Sequence, residues 1–253
     1  MNRRDLLAAG VAAFALSVAA GQAFAADPIR IGLILPMTGP FTSTGKQIAA
    51  AAELYNQQHG STVAGRKVEL ILRDDGGVAD TTKRIAQEMI VNDGVTAIAG
   101  FGLTPLAMAA APVATQGKTP MVVMAAATSV VTERSPFIVR TSQVVPQIAA
   151  PFGTWAAKQG MKKVVTVVSD YGPGHDVEKW FSDAFRAAGG TIENLRVPLQ
   201  NPDFSPFLQR VSEMRPDALL VFVPSGVGAQ FMKQFVERGL DRSGIRLIGT
   251  GDV

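Results

Sequence analysis

The sequence predicts an α/β fold in which parallel sheets are covered by helices on both faces and grouped into two lobes. Three observations carry this. Short apolar strands alternate with helix-length segments from residue 29 to residue 248 with few gaps, the pattern of repeated strand–helix–strand units. Val177, Trp180, Phe181, Ala184, Phe185 and Ala188 fall at the spacing of one buried helical stripe. Between two such series the chain changes character around Arg140 to Pro146, which divides it in two.

Taken in order, residues 1–25 read as a signal peptide outside the fold. Arg3 and Arg4 precede an apolar run over residues 6–20, and Ala23-Phe24-Ala25 fits a small-x-small cleavage site, so the mature chain is expected to begin near Ala26. Arg3-Arg4-Asp5-Leu6-Leu7 also resembles a twin-arginine export motif, with Asn2 and Leu6 standing where that pattern prefers Ser or Thr and Phe. A plain secretory leader is the alternative. The apolar run is too short for a membrane helix and no other reaches spanning length, so a protein not embedded in a membrane is expected. Cysteine is absent, which removes any lipid anchor on an N-terminal Cys and points to free periplasmic localisation. Of 24 basic and 21 acidic residues the leader holds Arg3, Arg4 and Asp5, so the remainder is close to neutral and offers no basic face for nucleic acid.

Residues 29–35 form the first strand, apolar at Ile29, Ile31, Leu33 and Leu35, followed by an Ala-rich helix over 46–58. Residues 68–72 make the next strand, ending at Asp74-Asp75-Gly76-Gly77, and Asp80 is expected to cap a helix running through Asn92. Then come a strand over 95–99, a helix over 106–115, a strand over 120–124 and a short one over 137–139. The second series has strands at 164–168, 191–197, 218–223 and 246–248, with helices at 176–188, 205–214 and 227–238.

Residues 97–129 carry the chemistry. The Gly100-Phe101-Gly102-Leu103-Thr104-Pro105 loop and the Met124-Ala125-Ala126-Ala127-Thr128-Ser129 turn each leave the carboxyl end of an apolar strand and lead into a helix start, with Thr104 and Thr128 as caps. Backbone N–H groups point outward there and the helix dipole adds positive potential, so a carboxylate is held without a buried cation. Small residues let the ligand approach the main chain, in the crevice beyond the strand ends. Ordinary connecting loops whose alanines pack the sheet are the alternative.

Catalysis finds little support. His59 and His175 are distant and no Cys accompanies them, against a metal cluster. Ser169, Asp170 and His175 are near in sequence without a Gly-x-Ser-x-Gly elbow. Neither a Gly-x-Gly-x-x-Gly after the first strand nor a Walker loop is present, so no cofactor is expected. Of Asp74 and Asp75, one is expected to cap the following turn and the other to be solvated.

Leu35-Pro36-Met37-Thr38-Gly39-Pro40 with Gly45, Asp74-Asp75-Gly76, the Gly100 to Thr104 loop, Ala126-Ala127-Thr128, Arg140-Thr141-Ser142 and Asp170-Tyr171-Gly172-Pro173-Gly174 together resemble the branched-chain amino acid binding proteins of ABC importers, the type I periplasmic binding fold. The resemblance runs in order from Ile29 to Val253. It implies two Rossmann-like lobes joined by a hinge and closing on a ligand, with a leader over 1–25, lobe one over 26–140 and lobe two over 141–253. It further implies that lobe one presents Phe41, Thr44, Gly102, Leu103, Thr104, Ala126, Ala127 and Thr128 to the cleft, with the Ala126 carbonyl and the Thr128 hydroxyl and N–H addressing the ligand. Lobe two would add Tyr171 as an aromatic cover and Ser225-Gly226 as a second loop. Tyr171 packing on Pro173 as a turn residue is the alternative.

Two departures bear on the ligand. Leu103 stands where amino acid binders of the family place a carboxylate-holding Ser, and Gly251 stands where they place the Glu that pairs with the ammonium, with Asp252 one step away. A cleft lined by Leu103, Phe41 and Tyr171 suits an aromatic or other apolar carboxylate, and the Leu-Thr-Pro loop with Met-Ala-Ala-Ala resembles the branch of the family that takes aromatic acids. Family members are commonly longer, and a truncated record with uncovered sheet edges and apolar faces is expected. The resemblance implies a periplasmic component that captures a small carboxylate and delivers it to an inner-membrane ABC permease with ATPase subunits. A periplasmic receptor feeding a signalling partner is the alternative.

Overall fold

The computed structural model describes residues 27–250; the leader and Asp252 lie outside them. Two parallel sheets organise the chain. The first has strands β1 (Ile29–Leu35), β2 (Thr62–Val63), β3 (Arg66–Asp74), β4 (Ala97–Gly100), β5 (Met121–Val123) and β6 (Ile138–Arg140), in the order β2-β3-β1-β4-β5-β6, antiparallel only at β2. The second has β7 (Lys163–Ser169), β8 (Thr191–Val197), β9 (Ala218–Phe222) and β10 (Arg246–Gly249), in the order β10-β9-β7-β8, all parallel. Helices α1 (Thr42–His59), α2 (Ala79–Val91) and α3 (Thr104–Gly117) belong to the first sheet. α4 (Val145–Lys158), α5 (Gly172–Ala187), α6 (Ser205–Met214) and α7 (Ser225–Glu237) belong to the second.

The two lobes are packed unequally. In the second lobe, apolar clusters line both faces of the sheet: Val165, Leu219 and Phe231 on one side, and Val168, Phe181 and Leu220 on the other. In the first, α2 and α3 bury Ile34, Met89, Ile98 and Ala110 on one face. The opposite face has a smaller cluster under α1 around Leu33, Leu35 and Ala99, and leaves Leu72 45 % and Val139 57 % exposed.

Several boundaries correct the sequence reading. α1 begins at Thr42, four residues before the expected start, with Phe41 as its first flanking residue. Asp80 lies inside the first turn of α2 and the cap position is Val78, with no side-chain bond there. Thr104 is likewise inside α3, behind Leu103, and Thr128 precedes a 3₁₀ helix (Ser129–Arg134) without capping it through its hydroxyl. Helix α4, the 3₁₀ helix and the two-residue β2 were not anticipated. The buried stripe of α5 holds Val177, Phe181 and Phe185, but Trp180 is 38 % exposed under the Lys179 ammonium and Ala188 is exposed. The six-residue pattern ran wider than the face that packs.

Candidate ligand-binding cleft

The carboxyl ends of both sheets face one cavity of about 290 Å³. From lobe one it is walled by Thr44 on the first turn of α1, by Gly102, Leu103 and Thr104 at the start of α3, and by Met124 to Ala127 after β5. From lobe two come Tyr171 and Pro173 at the start of α5, with Phe222, Pro224 and Ser225 between β9 and α7. Ser142 and Gln143, in the segment that carries the chain from β6 to α4, complete the wall.

Local backbone geometry explains the lobe-one wall. Gly100 has φ +117, where a side chain is strained, and a Cβ there would stand 2.4 Å from the Ile34 carbonyl oxygen. Phe101 follows with φ 66, a conformation costly for an aromatic residue, and its fully buried ring together with the Phe101 N–H to Ile34 and Ala126 N–H to Phe101 carbonyl bonds, 3.0 and 3.1 Å, hold it there. This bend aims the first turn of α3 at the cavity. Of the leading N–H groups of α3, those of Leu106 and Ala107 turn to the Leu103 carbonyl, both at 3.2 Å, which leaves the Thr104 N–H and the positive potential of the helix end for an anion. Proline at the second position of α3 removes an N–H that no helix bond would use.

The Thr104 and Thr128 hydroxyls, both buried, bond each other at 3.0 Å across the two loops. Asp74 ties the β1 loop to β3, accepting the Met37 and Gly76 N–H groups, both at 2.8 Å, and the Thr38 hydroxyl at 2.6 Å. Partial desolvation raises its pKa, but these bonds together outweigh it and hold the carboxyl below its ordinary value. In Asp75 burial prevails and pushes the carboxyl up, against the Gly77 N–H and the Thr82 hydroxyl that bond it. Neither aspartate is merely solvated, as one was expected to be.

Among the described residues no Asp, Glu, Lys, Arg or His lines the cavity. Its polar groups are hydroxyls, the Gln143 amide and main-chain atoms; its apolar surface is Leu103, Met124, Tyr171, Phe222 and the prolines. The Tyr171 and Phe222 rings stack with centroids 6.4 Å apart. Such a lining suits a flat, largely apolar solute with one anionic end.

Residues 28–252 match the family model described as periplasmic binding protein. The chain belongs to the periplasmic binding protein family. This periplasmic binding protein is 44 % identical over 240 residues to the Leu/Ile/Val-binding protein homolog 6 of Brucella melitensis, covering 94 % of this chain and 61 % of that relative. Among solved structures, a solute binding protein of an ABC transporter from Rhodopseudomonas palustris in complex with 3,4-dihydroxybenzoic acid is 59 % identical with a TM-score of 0.87, over 89 % of this chain and 62 % of the other. A second solute binding protein from R. palustris, in complex with 4-hydroxybenzoate, is 41 % identical with the same TM-score, over 90 % and 62 %. A leucine binding protein from Thermotoga maritima is 27 % identical with a TM-score of 0.79, over 87 % and 63 %. The chain thus spans about three fifths of the length of the relatives it matches.

In this periplasmic binding protein, Thr44, Gly102, Leu103, Thr104, Ala126, Ala127, Tyr171 and Ser225 meet at the cavity. Phe41 does not. At the flank of α1, its ring packs into a cluster with Leu103 and Leu106, where apolar burial keeps it 2 % exposed and behind the wall. Thr128 lies just past the wall, its hydroxyl taken by Thr104. The Ala126 carbonyl already receives the Ser142 hydroxyl at 3.5 Å. Tyr171 faces the cavity as the aromatic cover does, and Pro173 lines it too. Sequence reasoning missed Phe222, Pro224 and Gln143. Phe222 ends a strand, so the strand-end rule that found Ala126 would have found it; Gln143 sits in a connection without periodicity. The Ser169, Asp170 and His175 group is not a triad: His175 Nε2 lies 2.6 Å from Asp170 Oδ1 on the exposed surface, while the Ser169 hydroxyl is buried without a partner.

Proposed function

We propose that this protein captures a small aromatic carboxylate between lobes spanning residues 26–140 and 141–253 and delivers it to an inner-membrane ABC permease with ATPase subunits. On this reading residues 1–25 direct export to the periplasm, and the protein is a binder and not an enzyme. The observation that carries the reading is the cavity lining. A helix start and small-residue turns receive the carboxylate on one side, rings enclose the solute on the other, and no described side chain in the wall carries the negative charge that an α-ammonium needs. An amino acid would bury its cation unpaired there. The likeness to solute binding proteins in complex with hydroxylated benzoic acids supports the same choice.

A thermal-shift screen tests it. 3,4-Dihydroxybenzoate, 4-hydroxybenzoate and benzoate are compared with leucine, isoleucine and valine. Ligand at about a hundred times its dissociation constant adds about 2.7 kcal/mol to stability. Midpoint shifts with the aromatic acids alone are expected. A shift with leucine, isoleucine or valine and none with the acids overturns the ligand assignment and directs attention to Asp252, the acidic residue that follows the described chain.

A further inference from the structure

The lobes meet along two seams that flank the cavity, and the seams differ in chemistry. Along α1 and α7 the contact is neutral: the Thr44 and Ser225 hydroxyls are 3.0 Å apart, and Gly226 lies directly on the Pro40 carbonyl. The other seam carries charge. Asp176, in the second turn of α5, accepts the Ser129 N–H at 2.7 Å and the Ser129 hydroxyl at 3.3 Å. Ser129 follows Thr128, whose carbonyl accepts Arg140 Nη2 at 2.6 Å. Burial depresses the Arg140 pKa and the Asp176 charge raises it, while Nε and Nη1 of that guanidinium are buried without hydrogen-bond partners. Gly172, on the same helix as Asp176, backs onto the Thr128 hydroxyl so closely that a Cβ would stand 2.5 Å from it.

We infer that Asp176 is a latch that holds the lobes closed and slows release of the bound solute. The inference rests on the reading of the protein as a two-lobed binder and adds the residue that sets its open–closed balance. Ser129 belongs to lobe one and Asp176 to lobe two, so their bond exists only when the lobes are together. Its free energy therefore favours the closed state alone, which is the condition for shifting the equilibrium. The bond is charge-assisted, and Asp176 is the carboxylate whose charge offsets burial of the Arg140 guanidinium behind it, so loss of that charge also leaves a desolvated cation uncompensated. The turn that Asp176 and Arg140 grip is the one whose Ala126 and Ala127 wall the cavity. Asp176 itself does not line it. It is a positioning residue, acting on lobe geometry and through Ser129 on the seat.

Because the chain has no cysteine, spin labels can be placed at will. Gln47→Cys on α1 and Lys233→Cys on α7 are both exposed and lie in opposite lobes. Electron–electron distance measurements on the unliganded protein should show Asp176→Asn displaced toward longer separations than wild type. Stopped-flow binding of 4-hydroxybenzoate should show release faster by about tenfold and association within about twofold of wild type. Asp176→Glu should recover part of the slow release, and Ser129→Ala, which loses the hydroxyl bond to Asp176 and keeps the N–H, should speed release by about threefold and lengthen the unliganded separation by less than Asp176→Asn does. Unchanged distances and release rates in Asp176→Asn overturn the latch. Should Asp176→Asn fail to melt cooperatively, Ser129→Ala carries the test, and wild-type values of both readouts in that variant overturn it equally. If wild type does not bind 4-hydroxybenzoate, the ligand reading fails, while the distances without ligand still decide on the latch.

Discussion

The two walls of the cleft are built from different parts of the chain. On the lobe-one side the cavity presents main chain: the start of α3, and a turn whose side chains are Ala125, Ala126 and Ala127. On the lobe-two side it presents rings: Tyr171, Pro173, Phe222 and Pro224. In the function proposed above the first wall recognises charge through N–H groups that no substitution removes except proline, and so it depends on where the backbone sits. The second, on the same proposal, recognises shape with side chains, and so it depends on which residues are there. Mutations should therefore read out as displacement on one side and as truncation on the other.

The largest effect should come from preventing the walls from meeting. A Cβ at Gly226 would lie 1.7 Å from the Pro40 carbonyl oxygen, so Gly226→Ala should hold the lobes apart. Affinity for 3,4-dihydroxybenzoate by calorimetry should fall by about a hundredfold, with little change in the unliganded melting midpoint. Retained affinity would mean that one wall binds unaided. Next in size, Tyr171→Ala removes a ring from the second wall and should cost about 2 kcal/mol of binding, roughly thirtyfold in Kd. Tyr171→Phe should keep most of that.

On the first wall the expectation reverses. Thr104→Val is nearly isosteric, leaves the α3 N–H groups in place, and strands the buried Thr128 hydroxyl. It should lower stability by about 1–2 kcal/mol in denaturant titrations and change Kd by less than about threefold. A larger change in affinity than in stability would show that the hydroxyl itself addresses the solute.

The smallest effect is in pH dependence. Asp75, raised by burial, contributes stability that is fully present below the ordinary aspartate value and lost as pH rises through its higher folded value. Asp74, held below that value, contributes stability present above it and lost as pH falls through its lower folded value. Asp75→Asn should therefore flatten the decline in stability above about pH 4, and the carboxyl signals of the two neighbours in NMR titrations should separate in opposite directions. Coincident titration would contradict the burial of the Asp75 carboxyl between Gly77 and Thr82.

Where one period dominated, the elements were legible. β1 and α6 occupy the expected residues because their alternation or stripe is uninterrupted, and β8 does so although its inward positions change phase between Asn194 and Leu195. α4 was not read: Pro146 at its start and Pro151 inside it break the sequence signal, yet its Val145, Ala149, Gly153 and Ala156 are buried, so packing decides what propensity opposed. Trp180 shows the converse error, a residue in phase with the stripe but at the edge of the face that packs. In the cleft, small residues at strand ends announced the main-chain wall of the cavity. Half of the ring-bearing wall was hidden, since Phe222 looks in sequence like any strand residue. Phe41, expected at the cleft from the resemblance, instead packs its ring behind Leu103 at the flank of α1.

Ser142 and Gln143 line the cavity while belonging to the stretch that carries the described chain from β6 to α4. If the proposed lobes pivot there, load and fulcrum share one place. A solute seated beside such a pivot has a short lever arm, so a small displacement at the cavity corresponds to a much longer sweep at the outer rims. On the proposed function, the rims then act as a pointer that reports occupancy of the cavity by angle alone.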